Sequence, residues 1–257
     1  MMFRRLLLLF FLRASGFAPL LWAQAIVDEV ATTRRIALVI GNGGYQFGPL
    51  QNPVNDARLV ATALQEARFE VIKLENATQE QMLSAIAQFG AAIAKGGVGA
   101  FYFAGHGVQI QGENFLVPID ATMQREDEVR QKAVNMQDVL EHMANAKNPL
   151  NLVFLDACRN NPFPSSVRGR VNGLARMDAA FGTLISFATA PGQFAEEGDG
   201  TNSPYSQHLA AEMRMPGLRL EDILKRVRAA VKRDTQDRQI TWDASSIVGD
   251  FYFKPAG

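Results

Sequence analysis

Five short apolar runs recur along the chain, separated by stretches with helical periodicity. Arg35–Gly41 (RIALVIG), Phe69–Leu74, Val98–Ala104, Asn151–Ala157 and Thr183–Ala188 are rich in Val, Ile, Leu and Phe. Runs that are continuously apolar, rather than alternating, predict strands buried on both faces, as in a parallel sheet. Between them, Asn55–Ala67 places Ala57, Val60, Ala61 and Leu64 on one helical face, and Thr78-x-x-Gln81 is a capping box opening a helix to about Ala94. Met136–Ala146 predicts a third helix and Ser203-Pro204 opens a fourth. Leu220–Asp234 predicts a fifth, with Ile223, Leu224, Val227 and Val231 inward and Arg219, Lys225, Arg226, Lys232 and Arg233 on a solvated face. Strands alternating with helices predict an α/β sandwich with a mostly parallel sheet. Val108–Pro118 departs from this rhythm and predicts a β-hairpin turning at Gly112-Glu113-Asn114. Asn160–Gly182, with two prolines, three glycines and three arginines, is the least regular stretch and predicts a flexible loop. No internal repeat interrupts the pattern.

The first 25 residues follow different rules. Arg4 and Arg5 precede the apolar run Leu6–Leu12, and Ala23-Gln24-Ala25 is a small-x-small cleavage site, so residues 1–25 read as a secretory signal peptide. Arg13 interrupts the apolar segment, which leaves an uncleaved N-terminal anchor as the alternative. The run itself is too short to cross a bilayer, so no stable membrane insertion is expected once the signal is removed. Residues 26–257 then form one domain in a secreted or periplasmic setting, and a chain of this size with 47% hydrophobic residues can bury a full core. Three arginines and no acid lie in residues 1–25, so a chain balanced at 26 basic and 26 acidic residues carries −3 without them. Such a charge gives nucleic acid no basic surface to bind.

A secreted chain with a single cysteine, Cys158, forms no internal disulfide, and the remaining thiol requires a reason. A buried apolar cysteine is the simple one. Position suggests another. Ligands of open α/β sheets bind beyond the carboxyl ends of the strands. The third strand runs into Gly105-His106-Gly107 and the fourth into Asp156-Ala157-Cys158, so His106 and Cys158, 52 residues apart in sequence, leave the sheet at the same edge. His106, between two glycines, is hard to explain as core, whereas His142 and His208 sit inside helical patterns. A thiolate stabilised by an imidazole that can also protonate a leaving group is a machine for acyl transfer. The amides of Gly107 and Cys158 are the oxyanion-hole candidates. Gly41, Gly43, Gly44 and Gly48 hint at a dinucleotide loop, but Gln46 stands where the pattern needs glycine. One cysteine and three scattered histidines lack zinc-ligand spacing.

The segments YFAGHG and LDAC, about fifty residues apart, together with IGNGGY, NPVNDA, ATAPG and NSPYS, resemble the caspase-like cysteine peptidases over roughly Arg35–Phe253. The bacterial metacaspase-like members, or orthocaspases, fit best. Caspases proper carry Gln-Ala-Cys-x-Gly around the nucleophile, where this chain has Asp156-Ala157-Cys158-Arg159-Asn160, which argues against aspartate specificity. The resemblance implies a caspase-like three-layer sandwich with a mostly parallel central sheet of about six strands flanked by helices. It divides the domain into a p20-like part to about residue 160, a flexible loop 160–182 and a p10-like part 183–257. It makes His106 and Cys158 the catalytic dyad, and it makes Asp56 and Asp156 the acids of an S1 pocket that accepts Arg or Lys; read without it, Asp56 would complement its helix dipole. The implied function is an endopeptidase acting on peptides or proteins with Arg or Lys at P1, the alternative being an inactive caspase-like module that binds a peptide or partner. Arg168, Arg170 and Arg176 become candidates for self-processing, because such proteins are often cut between nucleophile and small subunit. Several metacaspases need calcium; only Asp120 seems comparable to the carboxylates they use, so no cofactor is expected, and a monomer is the expected state.

Overall fold

The computed structural model describes residues 34–146, 148–157 and 173–256. The first 25 residues read as a signal peptide therefore lie outside the described residues. Six strands form the central sheet in the order β2-β1-β3-β7-β8-β9. These are β1 (Arg35–Gly41), β2 (Glu70–Glu75), β3 (Val98–Gly105), β7 (Leu150–Ala157), β8 (Thr183–Phe187) and β9 (Trp242–Ser245), all parallel except β9, which pairs antiparallel with β8. β1, β3 and β8 are buried along their whole length, and β7 in all but its first residue, which is what their unbroken apolar sequences require. β2, expected from the run Phe69–Leu74 to be buried like the others, instead closes one edge, and its charged, partly exposed sequence, EVIKLE, discourages further pairing.

Six helices are present among the described residues: α1 (Pro53–Glu66), α2 (Gln79–Ile93), α3 (Glu126–Lys132), α4 (Met136–Asn145), α5 (Pro204–Met213) and α6 (Leu220–Asp234). α1 packs on β1, β2 and β3 and against α5, which in turn meets α6; α2 packs on β1 and against α4. The result is the expected three-layer α/β sandwich. Thr78 caps α2 through the capping box read from the sequence, and Ser203 caps α5 ahead of Pro204. The chain steps from β1 outward to β2 and then returns to β3 on the other side of β1, so the direction of strand order reverses between β1 and β3. A crevice opens beyond the carboxyl ends of the strands at such a point.

Between β3 and α4 the chain makes an excursion, β4 (Gly107–Ile110), β5 (Glu113–Leu116), α3 and β6 (Val134–Asn135), with β5 central in a small antiparallel sheet. Its apolar face joins Phe115, Val117, Met123 and Val129 to Tyr45 in a second small core. The expected hairpin is present, but its turn is Gln111-Gly112, both with positive φ of 52° and 83°, and Glu113 and Asn114 belong to β5. Two consecutive left-handed residues match the twist of a two-residue hairpin turn, one residue shorter than the turn expected. β9 and α3 escaped the sequence reading. β9 is short and half-exposed, and α3 spans two turns with only Val129 buried, so neither carries a strong hydrophobic period.

Asn42, fully buried after β1, joins three segments. Its amide donates to the Ala77 and Val117 carbonyls at 3.3 and 3.2 Å and its oxygen accepts from the Ala77 N–H at 2.8 Å. Asn42→Ala leaves three buried backbone groups without those partners and is expected to cost about 2–4 kcal/mol, read as a lower urea midpoint at constant slope; an unchanged midpoint refutes this role. On the edge strand, Arg58 and Lys73 hold the Glu75 carboxyl down to about 2. A depressed carboxylate stabilises the fold above its unfolded pKa and loses that contribution as pH falls through its folded pKa. Glu75→Gln is therefore expected to cost about 0.5–1 kcal/mol at neutral pH, with the difference from wild type shrinking between about pH 4.5 and 2. A pH-independent difference would contradict it.

Candidate active site

His106 follows the last residue of β3, and a backbone contact fixes how it leaves the sheet. Gly105 has φ +154°, and a Cβ there would lie 2.5 Å from the Tyr45 hydroxyl, so only glycine admits Tyr45 to this position. That hydroxyl accepts the His106 N–H at 3.0 Å and donates to the Val117 carbonyl at 3.1 Å. The two rings meet at 4.5 Å between centroids, tilted by 50°. The imidazole is 3% exposed, and its Nε2 lies 2.6 Å from the Gly48 carbonyl oxygen. A carbonyl only accepts, so Nε2 carries the hydrogen and donates it, and in the neutral ring Nδ1 carries the lone pair. Chain segments after β1 and before β4 thus set both the orientation and the tautomer of His106.

Gly107 opens β4. The Val117 N–H donates to the His106 carbonyl at 3.0 Å and the Tyr45 hydroxyl bridges the His106 N–H to the Val117 carbonyl, so these two residues stand at a hydrogen-bonding position of the antiparallel alternation. The next pair, Gly107 and Leu116, is then a non-hydrogen-bonded one, and the Gly107 N–H is directed away from β5. β3 and β7 are adjacent and parallel, with Gly105 in register with Ala157. The residues that immediately precede His106 and Cys158 are therefore direct neighbours in the sheet. Cys158 itself lies outside the described residues, as do Arg168 and Arg170.

Asp56 and Asp156 come together although one stands in the first turn of α1 and the other near the end of β7. Both are fully buried. Ser203 joins them: its N–H donates to Asp56 Oδ1 at 2.9 Å, and its hydroxyl donates to Asp156 Oδ2 in a short hydrogen bond. Asn202 adds an amide donor to Asp56 Oδ1 at 3.0 Å and Ser206 a hydroxyl donor to Asp156 Oδ2 at 2.7 Å. Since the Ser206 hydrogen is used on Asp156, the Tyr102 hydroxyl, 2.5 Å away, is the donor to Ser206. Burial, then the charges of Asp156 and Asp56, push the Tyr102 hydroxyl well above its ordinary pKa, so it stays a neutral donor. Asn52 anchors the 197–203 loop by donating to the Glu197 and Gly200 carbonyls at 2.7 and 3.1 Å. Among the described residues, four donors reach these two buried carboxylates and offset part of the cost of holding them away from water.

Other residues singled out in the sequence lie elsewhere. Arg176 is largely exposed, with Asp178 3.8 Å away. Asp120 accepts the Gln79 N–H at 3.0 Å at the start of α2, and no group of three metal-ligating side chains occurs among the described residues. His142 on α4 lies against Gly90 of α2, and His208 pairs with Asp234 at 2.6 Å between α5 and α6. The sequence reading missed Tyr45, Gly48, Asn202, Ser203 and Ser206 as members of the site. GGYQFG carried a glycine signal read only as a loop, and Ser203 a capping signal read only as a helix start. What each touches across the fold left no local mark.

The family model of the caspase domain, peptidase C14, matches residues 34–252. Human mucosa-associated lymphoid tissue lymphoma translocation protein 1 is 32% identical over 137 residues, which are 53% of this chain and 16% of that protein. The mouse homologue is 33% identical over 126 residues, 49% of this chain and 15% of its own length. The chain thus spans about a sixth of the length of these curated relatives. Among solved structures, the Drosophila initiator caspase Dronc superposes with a TM-score of 0.59 at 18% identity, over 85% of this chain and 81% of that one, a likeness of fold. With the model covering the sheet from β1 through β9 and the segments that carry His106, Asp56 and Asp156, this chain belongs to the caspase-domain family of peptidases.

Proposed function

We propose that the protein is a cysteine endopeptidase that cleaves after Arg or Lys through an acyl-enzyme. The observation that carries this reading is the joining of Asp56 and Asp156 by Ser203 at the sheet edge from which His106 leaves. Two buried carboxylates brought together at one sheet edge are suited to a guanidinium or ammonium and unsuited to an acidic P1 side chain. The relatives' resemblance supports the peptidase class, and the acids support the basic P1.

In this mechanism Cys158 gives its thiol proton to His106 Nδ1, and the thiolate attacks the scissile carbonyl carbon. The oxygen that becomes negative is received by the Gly107 and Cys158 N–H groups. Collapse breaks the C–N bond, and the imidazolium returns the proton to the departing amine. The Gly48 carbonyl, by accepting from Nε2, holds the ring so that the same nitrogen serves both transfers and stabilises the cation between them. Water, deprotonated by His106, then releases the acyl group. Residues 1–25 would direct export ahead of this catalytic domain, and the mechanism invokes no metal; Asp120, the carboxylate singled out for calcium, accepts the Gln79 N–H at the start of α2.

Iodoacetamide is expected to label Cys158 in the folded protein and abolish cleavage of P1-Arg peptides. Cys158→Ala and His106→Ala should each remove activity with the fold kept, and EDTA should leave wild type unaffected. A thiol that resists labelling, or an active Cys158→Ala, would instead indicate a binding module with the same fold. Replacing Asp56 or Asp156 by Asn removes charge at nearly constant volume. Cleavage after Arg should then fall at least tenfold, about 1.4 kcal/mol, the size of a charged hydrogen bond. P1-Asp peptides should be poor throughout, and a wild-type preference for them sinks the assignment of the acids while sparing the nucleophile.

A further inference from the structure

The stretch Gly173–Ala175 is fastened more firmly than its irregular sequence suggests. Asn114, 3% exposed in the central strand of the small sheet, takes hold of one residue at both ends: its Oδ1 accepts the Ala175 N–H at 2.7 Å and its Nδ2 donates to the Ala175 carbonyl at 2.9 Å. A side chain that both accepts from and donates to the same backbone residue reproduces the pairing of a β-ladder. On the other side the Gly192 N–H donates to the Leu174 carbonyl at 3.2 Å. Gly173 adopts φ +74° against the Gln193 backbone, where a Cβ would meet the Gln193 carbonyl oxygen at 2.4 Å.

Between these fastenings lies Leu174, 1% exposed. Its Cδ2 is 2.9 Å from the point where a Cβ on Gly107 would stand, and the Ala157 Cβ is 3.2 Å from that point. The leucine therefore rests on the residue that follows His106 and beside the residue that precedes Cys158. Any side chain at position 107 would displace it.

We propose that Asn114 is a positioning residue: by clamping Ala175 it seats Leu174 on Gly107 and so braces the backbone that carries the oxyanion donor. This half rests on the cysteine-peptidase reading above. A second consequence does not. Proteases bind several residues on each side of the scissile bond in extended form, and cleavage after Arg176 would place Ala175 at P2 and Leu174 at P3. Arg176 itself is exposed, but both of those residues are committed to Asn114, Gly192 and the Gly107 surface. The clamp therefore withholds the Arg176–Met177 bond from proteolysis. Of the three arginines proposed for self-processing, it removes Arg176 and leaves Arg168 and Arg170, which precede the clamp, so the new end produced by processing stays anchored by Leu174.

Limited digestion of Cys158→Ala protein with trypsin, followed by intact mass, tests the clamp without any need for activity. Cleavage at Arg176 should be slow, and at least tenfold faster in the Cys158→Ala proteins that also carry Asn114→Ala or Leu174→Ala, the second variant deciding if the first does not fold. Equal rates in parent and clamp variants overturn the proposal. In the active enzyme, Asn114→Ala should lower kcat at least tenfold with KM within twofold and with the iodoacetamide labelling rate of Cys158 unchanged, and Leu174→Met should retain kcat. A loss confined to KM, or a full kcat in Leu174→Ala, overturns the positioning role. If wild type cleaves no P1-Arg peptide, the functional reading fails and the tryptic comparison still decides the clamp.

Discussion

The in-register parallel ladder of β1, β3 and β7 is the constraint on which the rest of the molecule depends. Arg35, Val98 and Leu150 begin it side by side, and Gly41, Ala104 and Asp156 end it side by side. The histidine and both acids of the candidate site hang on those ends: α1 with Asp56 after β1, His106 after β3, and Asp156 within β7. Parallel strands deliver all their carboxyl ends to one edge, so residues distant in sequence reach the same crevice without long loops. A slip of one residue in β7 would turn Asp156 to the opposite face and leave a carboxylate without its serines.

Placing two carboxylates in that interior has a cost, and the structure shows how it is offset. Ser203 serves Asp56 with its backbone and Asp156 with its side chain, while also capping α5. The helix start and the acid pair are one arrangement, so the position of α5 is set by electrostatic demand as well as by its apolar contacts. Tyr102, held neutral by burial and by the same two charges, extends the network into the sheet. Networks of this kind tolerate little partial satisfaction, because each buried polar group that loses its partner keeps the full desolvation cost.

The excursion between β3 and α4 turns the end of a strand into a positioned imidazole. Its small core receives Tyr45, whose hydroxyl reads both the His106 amide and the Val117 carbonyl. Its β5 supplies Asn114 to the segment returning near Gly107. The antiparallel alternation of β4 and β5 directs the Gly107 N–H outward. One hairpin thus links the histidine, the oxyanion candidate and the segment Gly173–Ala175.

The sequence by itself determined the elements with strong periodicity and the residues at their ends. Continuous apolar runs mark buried strands, the Thr78 and Ser203 caps mark helix starts, and His106 between two glycines marks a strand end. These signals are local, arising from side chains within a few residues of one another. β9 and α3 were not legible, since they owe their structure to neighbours more than to their own period. Of the site, the positions of His106, Gly107, Asp56 and Asp156 were readable, the two acids only through a family resemblance. Tertiary structure alone decided that Tyr45 and Gly48 orient the imidazole, that Ser203 bridges two acids, and that Arg176 follows a clamped segment. Each depends on pairs of residues far apart in sequence, and only the register of the sheet brings them within hydrogen-bond distance.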